Sequence, residues 1–337
     1  MVTIEGLYGI YATVLCDSIS EDGIRLTTYE LQYPRIIHSE FMTHSMLARN
    51  AASSRAIPFN KMVEQLNARP VRFGANQSGM QDAGEHDMPV IWHNDEAACD
   101  VSGAPEAAWE YSKQNAIKMS KAFSDAGYHK QVFNRLTEPF QYMKTVVTGT
   151  EWANFFWLRN HEDADPTIAH LADLMYAAKE KSVPQLLQCG EWHLPYIEFF
   201  RDESGSAMYY IGNEHMRDDG TIYGFVSYKD AIKVSAARCA AVSFRNIDYT
   251  LDKSLAIYDR LVGADRKHSS AFGHQATPIE APYESVDELS INLAFEPSTW
   301  ESGISHVDRD GQLWSAMLRG WVQFRKLIPG ENYTGEI

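Results

Sequence analysis

The chain has 337 residues, of which 45% are hydrophobic and 22% charged, a composition typical of a folded globular protein. Its formal net charge of -15 argues against a nucleic-acid duplex as partner, because binding to a phosphate backbone requires a basic surface. No apolar run reaches the roughly 20 residues that a membrane-spanning helix needs. We therefore expect no contact with a membrane. The four cysteines are scattered without metal-ligand spacing, so we expect a cytoplasmic protein without a metal site.

The first predicted elements are two strands at 7–15 and 24–33, both rich in β-branched and aromatic residues. Asp22-Gly23 between them is a typical hairpin turn. Pro34 suits the first turn of a helix, which we predict to continue through residues 42–55.

The predicted helix at 42–55 ends in polar residues. Ser53 and Arg55 precede Pro58, which stops a helix. A serine and an arginine at a helix end are a plausible phosphate site, since a guanidinium binds phosphate with two hydrogen bonds. An ordinary amphipathic helix with a polar face is the alternative interpretation.

Further along the chain, apolar spacing predicts helices at 105–126, 169–181, 230–244 and 251–263. Residues 189–228 lie between two of these helices and have the pattern of an added antiparallel sheet. Asp218-Asp219-Gly220 is its expected turn.

The stretch M-T-H-S-M-L-A-R-N-A-A-S-S-R at 42–55 resembles the signature of the flavin-dependent thymidylate synthases, R-H-R-x-x-S-x-N-E-x-S-x-R. The residues that match it without a gap are His44, Asn50, Ser53 and Arg55. The sequence departs at Thr43, Ser45, Ala48 and Ala51, where the family has arginine, arginine, serine and glutamate.

Four other segments resemble motifs of this family. Arg135 and Pro139 keep the spacing of K-E-x-A-R-x-x-x-P, and N-F-F-W-L-R at 154–159 resembles N-F-x-x-L-R. R-C-A-A-V-S-F at 238–244 resembles A-A-R-V-S-Y, and H-S-S-A-F-G-H at 268–274 resembles H-x-T/S-P-F-E-H. The family has the last two motifs before the signature, so the order here looks circularly permuted.

The resemblance implies an enzyme that converts dUMP to dTMP, with methylenetetrahydrofolate as carbon donor, reduced FAD as hydride source and NADPH as reductant of the flavin. The residues implied to hold the nucleotide phosphate are Ser53, Ser54, Arg55 and Arg135. Arg159 is implied to bind the base, where an arginine stabilises enolate charge, and Arg159 and His44 are the catalytic candidates. The residues assigned to the flavin are His44, Asn50, Asn154, Leu158, Ser243, His268 and Ser270.

Residues 314–332 faintly resemble R-Q-W-F-R-H-R of the same family. We predict a C-terminal helix there that returns Arg325 or Lys326 to the site. Its charge would replace that lost at Thr43 and Ser45, so Arg325 joins the cofactor-binding candidates.

The expected fold is α+β, with helices packed on an antiparallel sheet and a small inserted β region. Residues 1–188 form the thymidylate-synthase-like core, 189–228 the β insertion, and 229–337 the permuted remainder of the core. Because active sites in the family form between subunits, a homo-oligomer, and by resemblance a tetramer, is expected.

Two other functions remain open. The absence of the signature arginines is consistent with a C5 hydroxymethylase that uses folate but no flavin and acts on dUMP or dCMP. A degenerate, non-catalytic nucleotide-binding protein is the other alternative, although arginines kept at three separate motif positions argue against it. The sequence does not choose between uracil and cytosine, since Arg159 suits O2 of either ring.

Overall fold

The computed structural model describes residues 1–55, 57–81, 83–216, 222–242, 250–264, 267–280 and 297–332. Its α-helices are α1 His38–Met42, α2 Phe59–Val63, α3 Pro105–Asp125, α4 Lys130–Phe133, α5 Ala153–Arg159, α6 Pro166–Lys181, α7 Tyr228–Ala241 and α8 Leu251–Gly263. Its strands are β1 Val2–Glu5, β2 Tyr11–Ser20, β3 Arg25–Pro34, β4 Ala48–Ala51, β5 Val90–Asn94, β6 Cys99–Gly103, β7 Tyr142–Gly149, β8 Gln185–Leu187, β9 Glu198–Arg201, β10 Ala207–Met216, β11 Ile222–Val226, β12 Ala276–Pro278, β13 His306–Val307, β14 Leu313–Ser315, β15 Leu318–Arg319 and β16 Trp321–Gln323.

Six strands form the central sheet, in the order β1-β2-β3-β7-β4, with β8 beside β2. Every pair is antiparallel except β2 with β8. Tyr29 of β3 lies opposite Val147 of β7, and Asn50 of β4 lies opposite Val146. The expected α+β class, with helices on an antiparallel sheet, is therefore confirmed.

The β2–β3 hairpin forms where the sequence predicts it. Gly23 has a φ of 77°, a conformation that side chains with a Cβ rarely adopt. Its N–H donates to the carbonyl of Ser20 over 2.9 Å. The predicted Asp22-Gly23 turn thus fixes the register of the two longest strands of the sheet.

One face of the central sheet carries the main apolar core. Tyr29 and Val147 are fully buried there against Leu171 and Met175 of α6. The carboxylate of Asp165 caps the first turn of this helix by accepting two backbone N–H groups. Aliphatic and aromatic side chains therefore hold α5 and α6 on this side.

The opposite face is also buried, but it is polar. The ring of His193 lies 2.8 Å from Ser18 Oγ through Nδ1 and 2.8 Å from Thr28 Oγ1 through Nε2. Thr28 Oγ1 is 2.6 Å from Thr148 Oγ1, which lies 2.9 Å from Nδ1 of His274. These five side chains, which we call the hydroxyl–imidazole chain, connect β2 to the segment before β12.

Both histidines of the hydroxyl–imidazole chain are inaccessible to solvent. Burial lowers the pKa of His193 and of His274 to about 3, because a charged imidazole is poorly solvated there. Both rings are therefore neutral near pH 7 and are held by hydroxyl groups.

Helix α7 covers this polar face, and small residues allow it to lie close. Of the alanines that line the predicted helix, Ala236, Ala237 and Ala241 are buried and Ala240 is half-buried. The other long helices also form where expected, at α3, α6 and α8. Residues 243 and 244, at the end of the helix predicted over 230–244, lie outside the described residues.

The helix predicted through residues 42–55 is wrong. Helix α1 ends at Met42, and residues 48–51 form the strand β4 instead. Four residue pairs join β4 to β7 in the central sheet, where Ala48 and Asn50 are buried. Pairing with a distant strand thus overrides local propensity.

The predicted C-terminal helix is also wrong. The segment contains β14, β15 and β16, followed by a single 3₁₀ turn at Phe324–Leu327. Strand β16 pairs with β12, so that Gln323 lies opposite Ala276.

The predicted antiparallel sheet within 189–228 is present as β9, β10 and β11. Its inner face packs around Trp192 and Tyr209. The expected turn at 218–220 lies outside the described residues. Within the described part of the chain, none of the helices has the length and apolarity to cross a bilayer.

Candidate functional site

The two catalytic candidates, Arg159 and His44, are in direct contact. The Nε–H of Arg159 donates to Nε2 of His44 over 3.0 Å, which requires the imidazole proton to sit on Nδ1. Phe155 precedes Arg159 by four residues on the same face of α5, and its ring centroid lies 4.9 Å from that of His44. One face of α5 thus supplies both an apolar and a polar contact to His44.

The turn that carries His44 is held in place by Arg49 of β4. Nη1 of Arg49 donates to the carbonyl of Met42 over 3.0 Å and to that of His44 over 2.9 Å. These carbonyls lie at the end of α1, where helical partners are lacking. Arg49 therefore acts on the site through the backbone.

Two further side chains surround the guanidinium of Arg159. Nη2 donates to Thr43 Oγ1 over 3.3 Å, and Nη1 lies 3.5 Å from Oε2 of Glu40. The hydroxyl of Thr43 in turn donates to the Glu40 carbonyl over 2.7 Å. We call Glu40, Thr43, His44 and Arg159 the arginine cluster.

The charges in the arginine cluster influence one another. Burial lowers the pKa of His44, and the positive charges of Arg159 and Arg49 lower it further. Burial and the nearby Asp165 raise the pKa of Glu40, whereas Arg159 lowers it. A neutral His44 is the form that accepts the Arg159 hydrogen bond.

The residues assigned to the nucleotide phosphate lie at the other end of β4. Nδ2 of Asn134 donates to the Ser54 carbonyl over 2.8 Å, which brings the loop after β4 against the 3₁₀ segment Asn134–Phe140. The buried hydroxyl of Ser54 donates to Glu138 over 2.9 Å. Arg55 and Arg135 are exposed on the two joined segments, and the Ser53 hydroxyl accepts the Arg55 N–H. Two exposed cations and a serine thus occur together.

Asn50, one of the flavin candidates, has a structural contact. It is buried, and its Nδ2 donates to the carbonyl of Cys239 on α7 over 3.0 Å. The segment at 268–274 also reaches β4, because Gly273 lies so near that an added Cβ would be 3.3 Å from Cβ of Ala48. Motifs distant in the sequence therefore meet on the polar side of β4.

The other flavin candidates lie in separate places. Asn154 and Leu158 are exposed on α5, while His268 and Ser270 are exposed near the 3₁₀ turn Ser269–Gly273. Ser243 lies outside the described residues. An amide, an imidazole and a hydroxyl suit the polar edge of a flavin ring.

Arg325, the cation expected to replace the charge lost at Thr43 and Ser45, pairs with another residue. Nε of Arg325 lies 2.6 Å from Glu331, and Lys326 also pairs with Glu331 over 2.5 Å. The hypothesis that one of these replaces the lost charge at Thr43 therefore gains no support from the described contacts.

Sequence reasoning missed three residues of the site. Thr43 was treated only as a lost arginine, yet its hydroxyl contacts Arg159. Glu40 lies on α1 and reaches Arg159 from there, and no motif in the sequence singles it out. No local pattern indicates that Arg49 binds backbone carbonyls.

Comparison with models of known protein families finds none that matches the chain, and comparison with curated proteins finds no significant match.

Proposed function

We propose that this protein transfers a one-carbon group to C5 of a pyrimidine deoxynucleoside monophosphate, in the manner of the enzymes that methylate dUMP to dTMP. The observation that carries the proposal is the contact between Arg159 and His44. These residues come from two motifs that resemble the same family and lie 115 positions apart in the chain. The two motifs are adjacent in space, as a shared site requires.

The spacing along β4 supports a nucleotide as ligand. The arginine cluster precedes the strand, and Ser53, Arg55 and Arg135 lie near its far end. A strand advances about 3.3 Å per residue, so β4 itself spans about 10 Å between the two groups. The distance between the base edge and the phosphate of a nucleoside monophosphate is of the same order.

The residues of this chain have distinct roles in the proposed reaction. Arg55 and Arg135 bind the phosphate, for which guanidinium groups are well suited. Arg159 donates to a carbonyl of the base and stabilises the negative charge that develops when the ring is attacked. His44 and Thr43 orient Arg159, since each accepts one of its N–H groups.

The cofactors of the proposed reaction are those of the family it resembles: methylenetetrahydrofolate, FAD and NADPH. The flavin, when bound, supplies a hydride, and the folate supplies the carbon. Because the flavin candidates are dispersed over one chain, we propose a homo-oligomer, with a tetramer as the form the resemblance implies, in which two copies complete the site.

A second candidate is folate-dependent hydroxymethylation without flavin. The observation that favours it is the engagement of Arg325 and Lys326 with Glu331, which leaves the family's lost arginine charge unreplaced by them. Hydroxymethyl transfer ends with water attack and needs no hydride.

The visible absorption spectrum of the purified full chain, before and after addition of FAD and dUMP, separates the two candidates. Bound-flavin bands, followed by NADPH oxidation that depends on dUMP and methylenetetrahydrofolate, are expected for the methylating enzyme. A colourless protein that does not take up FAD would exclude it, and assays for hydroxymethylated dUMP and dCMP would follow. Absence of all three activities would reject the proposed function.

A further inference from the structure

The guanidinium of Arg159 donates from one edge to two residues of its own chain, and its other terminal nitrogen lies beside Glu40. Its Nε and Nη2 donate to His44 and Thr43, over 3.0 Å and 3.3 Å. Each terminal nitrogen carries two N–H groups, so a second pair of donors lies along the Nη1–Nη2 edge. A carboxylate oxygen of Glu40 is 3.5 Å from Nη1, at one side of the guanidinium.

We propose that Glu40 and Arg159 together bind the edge of the base and select cytosine over uracil. The inference rests on the proposed function and names the base on which that function acts. Two donors from arginine followed by one acceptor from glutamate form the pattern donor, donor, acceptor.

Cytosine presents the complementary pattern. Its O2 and N3 accept hydrogen bonds, and its N4 amino group donates one. Arg159 satisfies O2 and N3 with its two outer N–H groups, and the Glu40 carboxylate accepts from N4. Arginine paired with two acceptors and a carboxylate paired with N4 of cytosine are both recurrent modes of base recognition.

Uracil in the same position would meet two mismatches. Its N3–H would point at an N–H of Arg159, and its O4 would face the Glu40 carboxylate. A base moved along by one position would pair N3–H with the carboxylate. That placement still leaves the O4 carbonyl of uracil beside Glu40 without a hydrogen-bond donor. It also moves C5 away from the place that it has in bound cytosine.

The guanidinium of Arg159 and the backbone of Glu40 are positioned before any ligand arrives. The His44 ring packs on Phe155, and Arg49 fixes the carbonyls of the same turn. The Thr43 hydroxyl joins Arg159 to the backbone of Glu40. The Glu40 side chain is 42% exposed and the Arg159 side chain 21% exposed, so part of each is open to a base. A pre-oriented guanidinium loses little freedom on binding.

Isothermal titration of the full chain with dCMP and with dUMP tests the inference. We expect dCMP to bind at least about tenfold more tightly, since one well-formed base contact of this kind discriminates by that order. In Glu40→Gln the amide can donate to O4 of uracil, and we expect the ratio of the two dissociation constants to shift about tenfold towards dUMP. Glu162→Gln, which removes an exposed carboxylate after α5, is the matched control and should leave the ratio unchanged.

The outcomes separate the inference from the proposed function. Equal or tighter binding of dUMP by the unmodified protein overturns the selection of cytosine and leaves the proposed function intact. An unchanged ratio in Glu40→Gln, with thermal unfolding like that of the parent, removes Glu40 from base binding. Failure of both nucleotides to bind rejects the proposed function and the inference together.

Discussion

Arg159 donates its Nε–H to Nε2 of His44 over 3.0 Å, and this contact helps to join α5 to the turn before β4. The contact makes the protonation of His44 dependent on Arg159. A protonated imidazole has no lone pair at Nε2 and would face a guanidinium of the same charge.

The pKa of His44 is therefore expected to rise in Arg159→Ala, because a neighbouring positive charge is removed. Titration of the His44 ring protons by NMR measures the change. Arg35→Ala is the matched control, since Arg35 contributes to lowering the pKa of His38. A His44 pKa that is unchanged in Arg159→Ala would show that burial and Arg49 control it without Arg159.

The free energy of unfolding is expected to fall as the pH decreases below about 6.5. Burial holds the pKa of His193 and His274 at about 3, whereas an unfolded histidine titrates near pH 6.5. Between these values the unfolded chain binds protons that the folded chain does not, so stability is complete above this window and lost as the pH falls through it. Each histidine contributes a slope of up to about 1.4 kcal/mol per pH unit.

Urea denaturation at several pH values measures that slope. In His274→Gln the contribution of one imidazole is absent, so we expect a shallower dependence in the same window. A dependence equal to that of the parent chain would mean that His274 is not the titrating group.

Thr148→Val is expected to destabilise the protein by about 1–3 kcal/mol. The substitution keeps the shape of the side chain but deprives both Thr28 and His274 of a buried hydrogen-bond partner. Chemical denaturation near pH 7.5 gives the difference. Thr13→Val is a close control, because Thr13 pairs with Thr3 through hydroxyls 2.9 Å apart at an exposed site of the same sheet. A similar loss in both variants would contradict a special role for the hydroxyl–imidazole chain.

Arg55→Ala is expected to weaken binding of dUMP or dCMP by about 10- to 100-fold while leaving the corresponding nucleosides unaffected. A charge-assisted hydrogen bond to phosphate contributes on the order of 1.5–3 kcal/mol to binding. A nucleoside has no phosphate, so its binding does not include this hydrogen bond and does not change when Arg55 is removed. Titration calorimetry with each nucleotide and its nucleoside supplies the comparison. Equal weakening for both would place Arg55 near the base or in the fold instead.

The sequence was sufficient for elements whose signals are local. The β2–β3 hairpin follows from Asp22-Gly23, and α3, α6, α7 and α8 follow from apolar spacing and small residues. Strand β4 was missed because Ala-Arg-Asn-Ala has no β-branched residue, and only its pairing with β7 makes it a strand. Such pairing is decided by the whole fold.

The candidate site likewise combines residues that the sequence indicates with contacts that only the folded structure shows. His44 and Arg159 were identified from resemblance to motifs, while their contact and the flanking Glu40 depend on how α1 and α5 pack. Asn50 was assigned to a ligand, yet the structure shows it bonded to the Cys239 carbonyl. A residue type and its spacing indicate what a side chain can bind, whereas its partner is set by three-dimensional packing.

The β2–β3 hairpin and Trp321, which contacts it, are far apart in the chain, and this separation has a consequence for biosynthesis. Nε1 of Trp321 donates to the carbonyl of Ile24, 297 residues earlier, and residues 271–279 are buried against the same sheet. During translation the Thr148 hydroxyl therefore lacks its His274 partner, and the Ile24 carbonyl its Trp321 partner, until these late segments leave the ribosome. A nascent chain is open to proteases and chaperones over most of its synthesis, and contacts of such long range slow the final step of folding.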